Sequence, residues 1–182
     1  MKKLTLYEKE WYHYLGNLKF GSVIEIGCGS GRGLSKIKAK RKVGVDIAPT
    51  SIELAKKNCP KGEFFCIDGT RNLPFQKKEF DLLFSSGLLE HFEPLSKRQC
   101  EIIKEWSRVA KELLIVVPNK YCLFYWFWRL GKTLMGKWDC GFERPLSKKE
   151  LFKIFKKANL KVIEHRMFVH NYAHSFRVKS DL

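Results

Sequence analysis

Several features are missing from this sequence, and each absence excludes a class of protein. There is no apolar run of about 18 residues, so no membrane-spanning helix is predicted. The six cysteines form no Cys-x-x-Cys pair, which argues against a zinc or redox motif. We expect mostly buried free thiols and no metal site. No internal repeat or low-complexity tract is present, which excludes solenoids and disordered chains.

The beginning of the chain lacks the apolar core that signal peptides carry. Glu8, Lys9 and Glu10 put three charges into this segment. We therefore expect a cytoplasmic protein, and peripheral contact with a membrane surface stays open as an alternative.

Acidic residues are scarce relative to basic ones. The 182 residues include 19 Asp and Glu against 35 Lys and Arg, which gives a net charge of +16. Such a charge favours anionic partners: nucleic acid, lipid headgroups or phosphorylated substrates. A basic run at 32–42 is interpreted as the solvated face of a helix. No stable protein partner is predicted.

Strand-like and helical segments alternate along the chain. Six apolar runs predict strands at 22–26, 43–47, 63–67, 80–84, 113–117 and 161–168. Helical segments begin with capping-box patterns at Thr50, Ser96 and Ser147. This alternation predicts an α/β fold, with one domain over residues 1–182 and a doubly wound, mostly parallel, Rossmann-like sheet of six to seven strands. The last strand, at 175–179, is expected to be short or missing.

The glycine-rich end of strand one is the first candidate for a binding site, because ligands bind beyond the carboxyl ends of parallel strands. It reads Glu25-Ile-Gly27-Cys-Gly29-Ser-Gly31. Glycines let the backbone turn sharply and approach a ligand, and the helix start that follows favours a phosphate or a carboxylate. The spacing does not match Gly-x-Gly-x-x-Gly, which argues against a dinucleotide site.

Polar residues also follow the next three strands. Asp46 ends strand two, and the two oxygens of a carboxylate suit two neighbouring ribose hydroxyls. Asp68 and Gly69 end strand three and offer an acceptor and a backbone donor to a base such as adenine. Ile47 is expected to lie against that base, and Ser85 ends strand four beside the expected reacting centre.

Five motifs, in this order and at these spacings, resemble those of class I S-adenosylmethionine-dependent methyltransferases. They lie at 25–31, 45–47, 67–75, 80–81 and 89–91, and the last is the Leu-Glu-His turn of a branch of small-molecule type. The resemblance implies S-adenosylmethionine as cofactor, S-adenosylhomocysteine as product, and a seventh, antiparallel strand. It also implies that Glu25 belongs to the cofactor motif and that Gly27, Gly29 and Gly31 contact the methionine part of the cofactor.

The same resemblance implies roles for the polar strand ends. Asp46 would hold the ribose, and Asp68 with Gly69 would hold the adenine. Ser85 would lie near the methionine amine. His91 follows strand four and is the candidate base, and the alternative that it only positions the turn stays open. A base is needed only if the methyl acceptor arrives protonated.

Two aromatic segments are expected near the acceptor. Residues 1–20 predict a helical lid with Tyr7, Trp11 and Tyr14 on one side. Residues 120–145 predict an aromatic and basic insertion, with six aromatic residues within 121–128. This insertion would wall an apolar pocket, lie in a membrane interface or pack over the sheet.

These observations lead to one preferred function and two alternatives. The preferred function is methyl transfer from S-adenosylmethionine to a small-molecule or lipid-like acceptor. The first alternative is an RNA methyltransferase that uses the basic surface. The second is a module that binds the cofactor or a partner without catalysis.

Overall fold

The structure, a computed structural model, describes residues 4–137, 141–169 and 171–180, and a seven-stranded sheet lies at its centre. The strands are β1 (Lys19–Ile26), β2 (Lys38–Asp46), β3 (Glu63–Cys66), β4 (Phe80–Ser86), β5 (Ala110–Pro118), β6 (Leu160–Phe168) and β7 (Ala173–Ser180). Their order is β3-β2-β1-β4-β5-β7-β6, and β1 to β5 pair in parallel. The predicted doubly wound, mostly parallel sheet is confirmed.

The seventh strand is complete, so the expectation of a short or missing one was wrong. β7 spans eight residues and runs antiparallel to both β5 and β6. It lies between two strands, so its backbone groups find partners on both sides. Its polar residues Ser175 and Arg177 hide the strand pattern, although Ser175 is buried and Arg177 pairs with Glu112 at 2.7 Å.

Six helices and one 3₁₀ turn surround the sheet in the described ranges. They are α1 (Leu6–Asn17), α2 (Arg32–Lys36), α3 (Pro49–Asn58), α4 (Lys97–Val109), α5 (Leu123–Leu134), α6 (Lys148–Lys157) and the turn Leu89–His91. Both faces of the sheet are covered. Ile102, Trp106 and Leu151 come from α4 and α6 on one face, and Trp11 and Leu34 come from α1 and α2 on the other.

The predicted helix starts have three outcomes. The capping box at Ser147 is confirmed. Ser96 caps α4 by accepting from the Gln99 amide at 3.1 Å, but the Gln99 side chain accepts from the Leu95 amide instead of closing a box. The box at Thr50 was wrong. The N-cap is Ala48, two residues earlier, and α3 begins at Pro49, because the fixed φ of proline suits the first helical position.

The basic run at 32–42 is not one helix face, which corrects the interpretation above. α2 ends at Lys36, and the chain enters β2 at Lys38. Ile37 is buried, and beyond it partly exposed Ala39 alternates with exposed Lys38 and Lys40, as in a strand. These lysines therefore lie at the amino end of β2, whereas the expected ligand site lies at its carboxyl end.

The cysteines follow the expectation only in part. Of the five in the described ranges, all are free and three are buried, namely Cys28, Cys59 and Cys122. Cys66 is exposed, and Cys140 lies outside the described residues.

Candidate active site

The strand order reverses between β1 and β4, and the glycine turn stands at this switch point. The amides of Gly27 and Cys28 both donate to the Val45 carbonyl, at 2.8 and 2.9 Å, which holds the turn against the end of β2. Gly27 and Gly31 have φ of +70° and +71°, in the left-handed region that favours glycine. Gly27 borders an open cavity, while Gly31 packs against Ala55 of α3.

The Asp46 carboxylate connects the glycine turn to the start of α3. Its Oδ2 accepts from the Gly29 amide at 2.8 Å, and its Oδ1 accepts from the Ala48 amide at 2.9 Å. A carboxylate has about four acceptor positions, so each oxygen keeps capacity for one further donor. Asp46 borders the cavity, and Ile47 beside it is 70% exposed.

The Asp68 carboxylate is fixed by the residues that follow it. Its Oδ1 accepts from the Thr70 amide and hydroxyl at 2.9 and 2.6 Å, and its Oδ2 accepts from Arg71 Nε at 2.9 Å. Partial burial alone would raise the pKa of Asp68, but the hydrogen bonds from Thr70 and Arg71 hold it below its ordinary value. Asp68 is therefore an anionic acceptor at neutral pH.

A cavity of about 630 Å³ lies at these strand ends, a size that suits a nucleoside-sized ligand. Its lining residues are Ile26, Gly27, Val45, Asp46, Ile47, Asp68, Gly69, Thr70, Arg71, Gly87, Leu88, His91, Phe92 and Arg98. Six predicted site residues meet there: Gly27, Asp46, Ile47, Asp68, Gly69 and His91.

The other four predicted residues, Glu25, Gly29, Gly31 and Ser85, lie behind the cavity wall. Glu25 is buried and accepts from the Leu34 amide at 2.9 Å, and burial raises its pKa to about 8. Ser85 is buried and donates to the Ile26 carbonyl at 2.9 Å. Gly29 donates to Asp46, as described above. These residues stabilise the glycine turn, and their neighbours line the cavity.

The His91 ring borders the cavity and has a defined partner. Its Nδ1 lies 2.7 Å from the Phe142 carbonyl oxygen. A carbonyl only accepts, so Nδ1 carries a proton, and in the neutral ring Nε2 is the nitrogen with a lone pair. This arrangement is compatible with the base role predicted for His91.

Sequence reasoning missed the polar wall beyond Asp68. Arg98 of α4 donates to the Thr70 hydroxyl at 3.0 Å, which joins α4 to the loop after β3. Thr70 and Arg71 directly follow the Asp68-Gly69 motif, so their position was a usable signal. No sequence signal pointed to Arg98, because it lies in a helix nearly thirty residues further along the chain.

A second hollow, of about 530 Å³, lies between α1 and α5. It is mostly apolar and is lined by Thr5, Leu6, Tyr7, Phe124, Trp128, Val169 and Tyr172. We call it the aromatic cleft. The Tyr7 hydroxyl lies 2.8 Å from Ser86 Oγ, and Gly87, the next residue, lines the first cavity.

The two segments predicted near the acceptor form the sides of this cleft. α1, within 1–20, contributes Leu6 and Tyr7, and α5, within 120–145, contributes Phe124 and Trp128. Residues 138–140 of the predicted insertion lie outside the described residues. Only Tyr125 of α5 is buried, so α5 does not pack over the sheet as one of the alternatives expected.

Glu90 lies beneath the end of β4. Its side chain is buried, and its Oε2 has no hydrogen-bond partner among the described residues. Burial, with a smaller effect of the nearby Glu143 charge, raises its pKa to about 8. Glu90 is therefore largely protonated at neutral pH, close to Gly87 of the first cavity.

The chain belongs to the methyltransferase domain family, since residues 24–115, half of its length, match the model of that family. Its fold is that of class I S-adenosylmethionine-dependent methyltransferases, which confirms the class predicted from the motifs. S-adenosylmethionine is the methyl donor of this class.

Two solved structures illustrate the shared fold. Magnesium protoporphyrin IX methyltransferase (ChlM) from Synechocystis PCC 6803, with bound SAH, gives a TM-score of 0.72 at 15% identity, over 100% of this chain and 90% of that one. N-methyltransferase NodS from Bradyrhizobium japonicum WM9, also with SAH, gives a TM-score of 0.73 at 16% identity, over 97% of this chain and 88% of that one. At such identities the likeness concerns the fold alone.

A sequence relative in Homo sapiens is described as probable tRNA methyltransferase 9B. It is 33% identical over 124 residues, which cover 66% of this chain and 25% of the relative. This chain thus spans about a quarter of the length of the curated relative that it matches.

Proposed function

We propose that this protein transfers the methyl group of S-adenosylmethionine to a small apolar or lipid-like acceptor bound in the aromatic cleft. The observation that carries the proposal is the hydrogen bond that links the lining of one hollow to that of the other. Tyr7 of the apolar cleft lies 2.8 Å from Ser86 Oγ, and the next residue, Gly87, lines the cavity that Asp46 and Asp68 border.

The cavity residues fit the cofactor in size and in chemistry. Asp46 has acceptor capacity left for the ribose hydroxyls, and Asp68 is an ionised acceptor suited to the adenine amine. Ile47 offers an exposed apolar side chain to the base. When bound, S-adenosylmethionine supplies a methyl group whose departure leaves a neutral thioether.

The chain's own contribution to the reaction is alignment and the exclusion of water. Leu6, Phe124 and Trp128 give the cleft apolar walls, and Tyr7 contributes a hydroxyl group that is paired with Ser86. An acceptor that arrives protonated needs a base, and Nε2 of His91 can take the proton.

The experiment is a labelling assay with a tritium-labelled methyl donor and a cell extract. The extract is separated into an organic phase and total RNA after incubation. The proposal expects label in the organic phase, and at least about tenfold less with the Asp46→Ala variant at a subsaturating donor concentration. Label found only in RNA would overturn the assignment of the acceptor.

An RNA acceptor is the second candidate, favoured by the net charge of +16 and by the sequence relative that is described as a tRNA methyltransferase. The position of the basic run argues against it. Lys38 lies eight residues before Asp46 in β2, roughly 26 Å away along an extended strand. A module without catalysis is the third candidate, which calorimetric binding of the cofactor with no transfer to any extract would support.

A further inference from the structure

The apolar side of α5 faces solvent along its whole length. Leu123, Phe127, Leu130 and Leu134 are each more than half exposed. They stand at positions i, i+4, i+7 and i+11, so they form one stripe on the helix. We call this the α5 stripe.

The inward side of α5 carries the polar contacts. The buried Tyr125 donates its hydroxyl proton to Glu143 Oε1 at 2.7 Å, and Arg129 Nη1 donates to the Glu143 carbonyl at 2.6 Å. These bonds fix the rotation of the helix, so the stripe is held outward. Soluble monomers rarely expose a contiguous apolar surface of this kind without a binding partner.

We propose that the α5 stripe inserts into the surface of an anionic lipid bilayer. Among the described residues, none of the helices combines the length and apolar character needed to cross a membrane. α5 has twelve residues, about 18 Å, which suits a helix lying in the plane of the interface. Trp126 and Trp128 lie in the same helix, and indole rings favour the headgroup region.

The positive charge of the chain favours an anionic bilayer over a second copy of the protein as the partner of the stripe. Lys120 precedes α5, Lys132 lies on the side of the helix opposite the stripe, Lys137 follows the helix, and the whole chain carries +16. An anionic surface attracts such a protein. A second copy would bring the same positive charge, and RNA would gain nothing from an outward row of leucine and phenylalanine.

The surface also suggests how the acceptor arrives, a point that rests on the proposed function. Phe124 is 68% exposed beside the stripe and also lines the aromatic cleft. Leu6, on the opposite wall of the cleft, is 61% exposed. The cleft thus opens at the surface that would meet the lipid, and a lipid-like acceptor reaches it without crossing water.

The test is flotation of the full chain with lipid vesicles, in the absence of a methyl donor. One set contains phosphatidylcholine alone, and the other contains equal parts of phosphatidylcholine and phosphatidylglycerol. We expect at least about tenfold stronger binding to the anionic set. Absence of binding, or equal binding to both sets, overturns the proposal.

Matched variants locate the contact. Phe127→Ser combined with Leu130→Ser should weaken binding at least about tenfold, since two apolar side chains are lost from the interface. Leu54→Ser on α3 is the control, because Leu54 is 50% exposed and Leu130 55%. Its effect should stay below about twofold. Equal losses in both variants, or self-association that covers α5 in place of vesicle binding, overturn the proposal.

Methyl transfer from a tritium-labelled donor to a total lipid extract dispersed in detergent separates this inference from the proposed function. Vesicle binding without transfer in detergent refutes the proposed function and leaves the docking surface standing. Transfer in detergent without vesicle binding refutes the docking surface and leaves the proposed function standing.

Discussion

The hydroxyl of Tyr7 in α1 lies 2.8 Å from Ser86 Oγ at the end of β4, across 79 positions of sequence. This contact ties the amino-terminal helix to the edge of the cofactor cavity. Burial raises the pKa of Tyr7 above its ordinary value, so the phenol stays neutral and serves as a hydrogen-bond partner at physiological pH. A predicted lid segment thereby becomes a wall of the site.

Replacing Tyr7 should impair use of the acceptor and spare the cofactor. In Tyr7→Phe the ring remains, but one hydrogen bond worth about 1 kcal/mol is lost. Since this bond fixes Tyr7 in the wall of the cleft, we expect KM for the acceptor to rise by up to about fivefold and Kd for the cofactor to stay unchanged. Steady-state kinetics and calorimetry measure the two quantities. Tyr12→Phe in the same helix is the control, and equal effects in both variants would contradict the assignment.

Replacing Asp46 should affect the cofactor most. Asp46→Ala removes the acceptor of two backbone amides and the predicted ribose contact. Hydrogen bonds to a charged group contribute about 1.5–3 kcal/mol, so cofactor affinity should fall at least about tenfold. Calorimetric titration checks this. Glu53→Ala, an exposed carboxylate on α3, should leave affinity unchanged, and an unaltered Kd for Asp46→Ala would remove it from the ribose role.

The raised pKa of Glu90 should make the stability of the folded protein depend on pH. Burial raises its pKa from 4.5 to about 8, so between these values the folded chain holds a proton that the unfolded chain releases. Stability therefore falls as pH rises through this window, by up to about 1.4 kcal/mol per pH unit. Glu90→Gln should match the parent near pH 5 and exceed it near pH 8 in thermal unfolding.

The comparison must isolate Glu90, because Glu25 has a similarly raised pKa. Glu25 is present in both the parent and the Glu90→Gln variant, so its effect cancels in their difference. Glu53→Gln serves as the control for a lost surface charge. A constant difference in melting temperature between pH 5 and pH 8 would rule out a protonated Glu90 in the folded state.

The site residues that the sequence predicted correctly are those that directly follow a strand, because the end of that strand alone sets their position. Asp46 and Asp68 each follow a buried strand, and parallel pairing brings neighbouring carboxyl ends to one edge of the sheet. Glu25 lies only one residue before Ile26, but side chains alternate along a strand. Ile26 lines the cavity, and Glu25 points away from it toward Leu34.

Contacts between distant segments had no comparable signal. The pairing of Tyr7 with Ser86 and that of Arg98 with Thr70 depend on how α1 and α4 pack, which no local pattern encodes. The outward α5 stripe was hidden for another reason. Its spacing is that of an ordinary core-facing helix, and only the tertiary position reveals that the apolar side faces solvent.

Two glycines of the turn allow a test of how α2 packs against α3. Substitution at either glycine strains the backbone, but at only one of them would the new side chain meet a neighbouring helix. Gly29 and Gly31 both have positive φ, +49° and +71°, so alanine at either pays about 1–2 kcal/mol for a left-handed backbone. A Cβ at Gly31 would also lie 2.9 Å from the Ala55 Cα, whereas a Cβ at Gly29 meets nothing within 4 Å. Gly31→Ala should therefore lower the free energy of unfolding by at least about 1 kcal/mol more than Gly29→Ala. Urea denaturation of the two variants measures the difference, and equal losses would mean that α2 and α3 do not pack through Gly31.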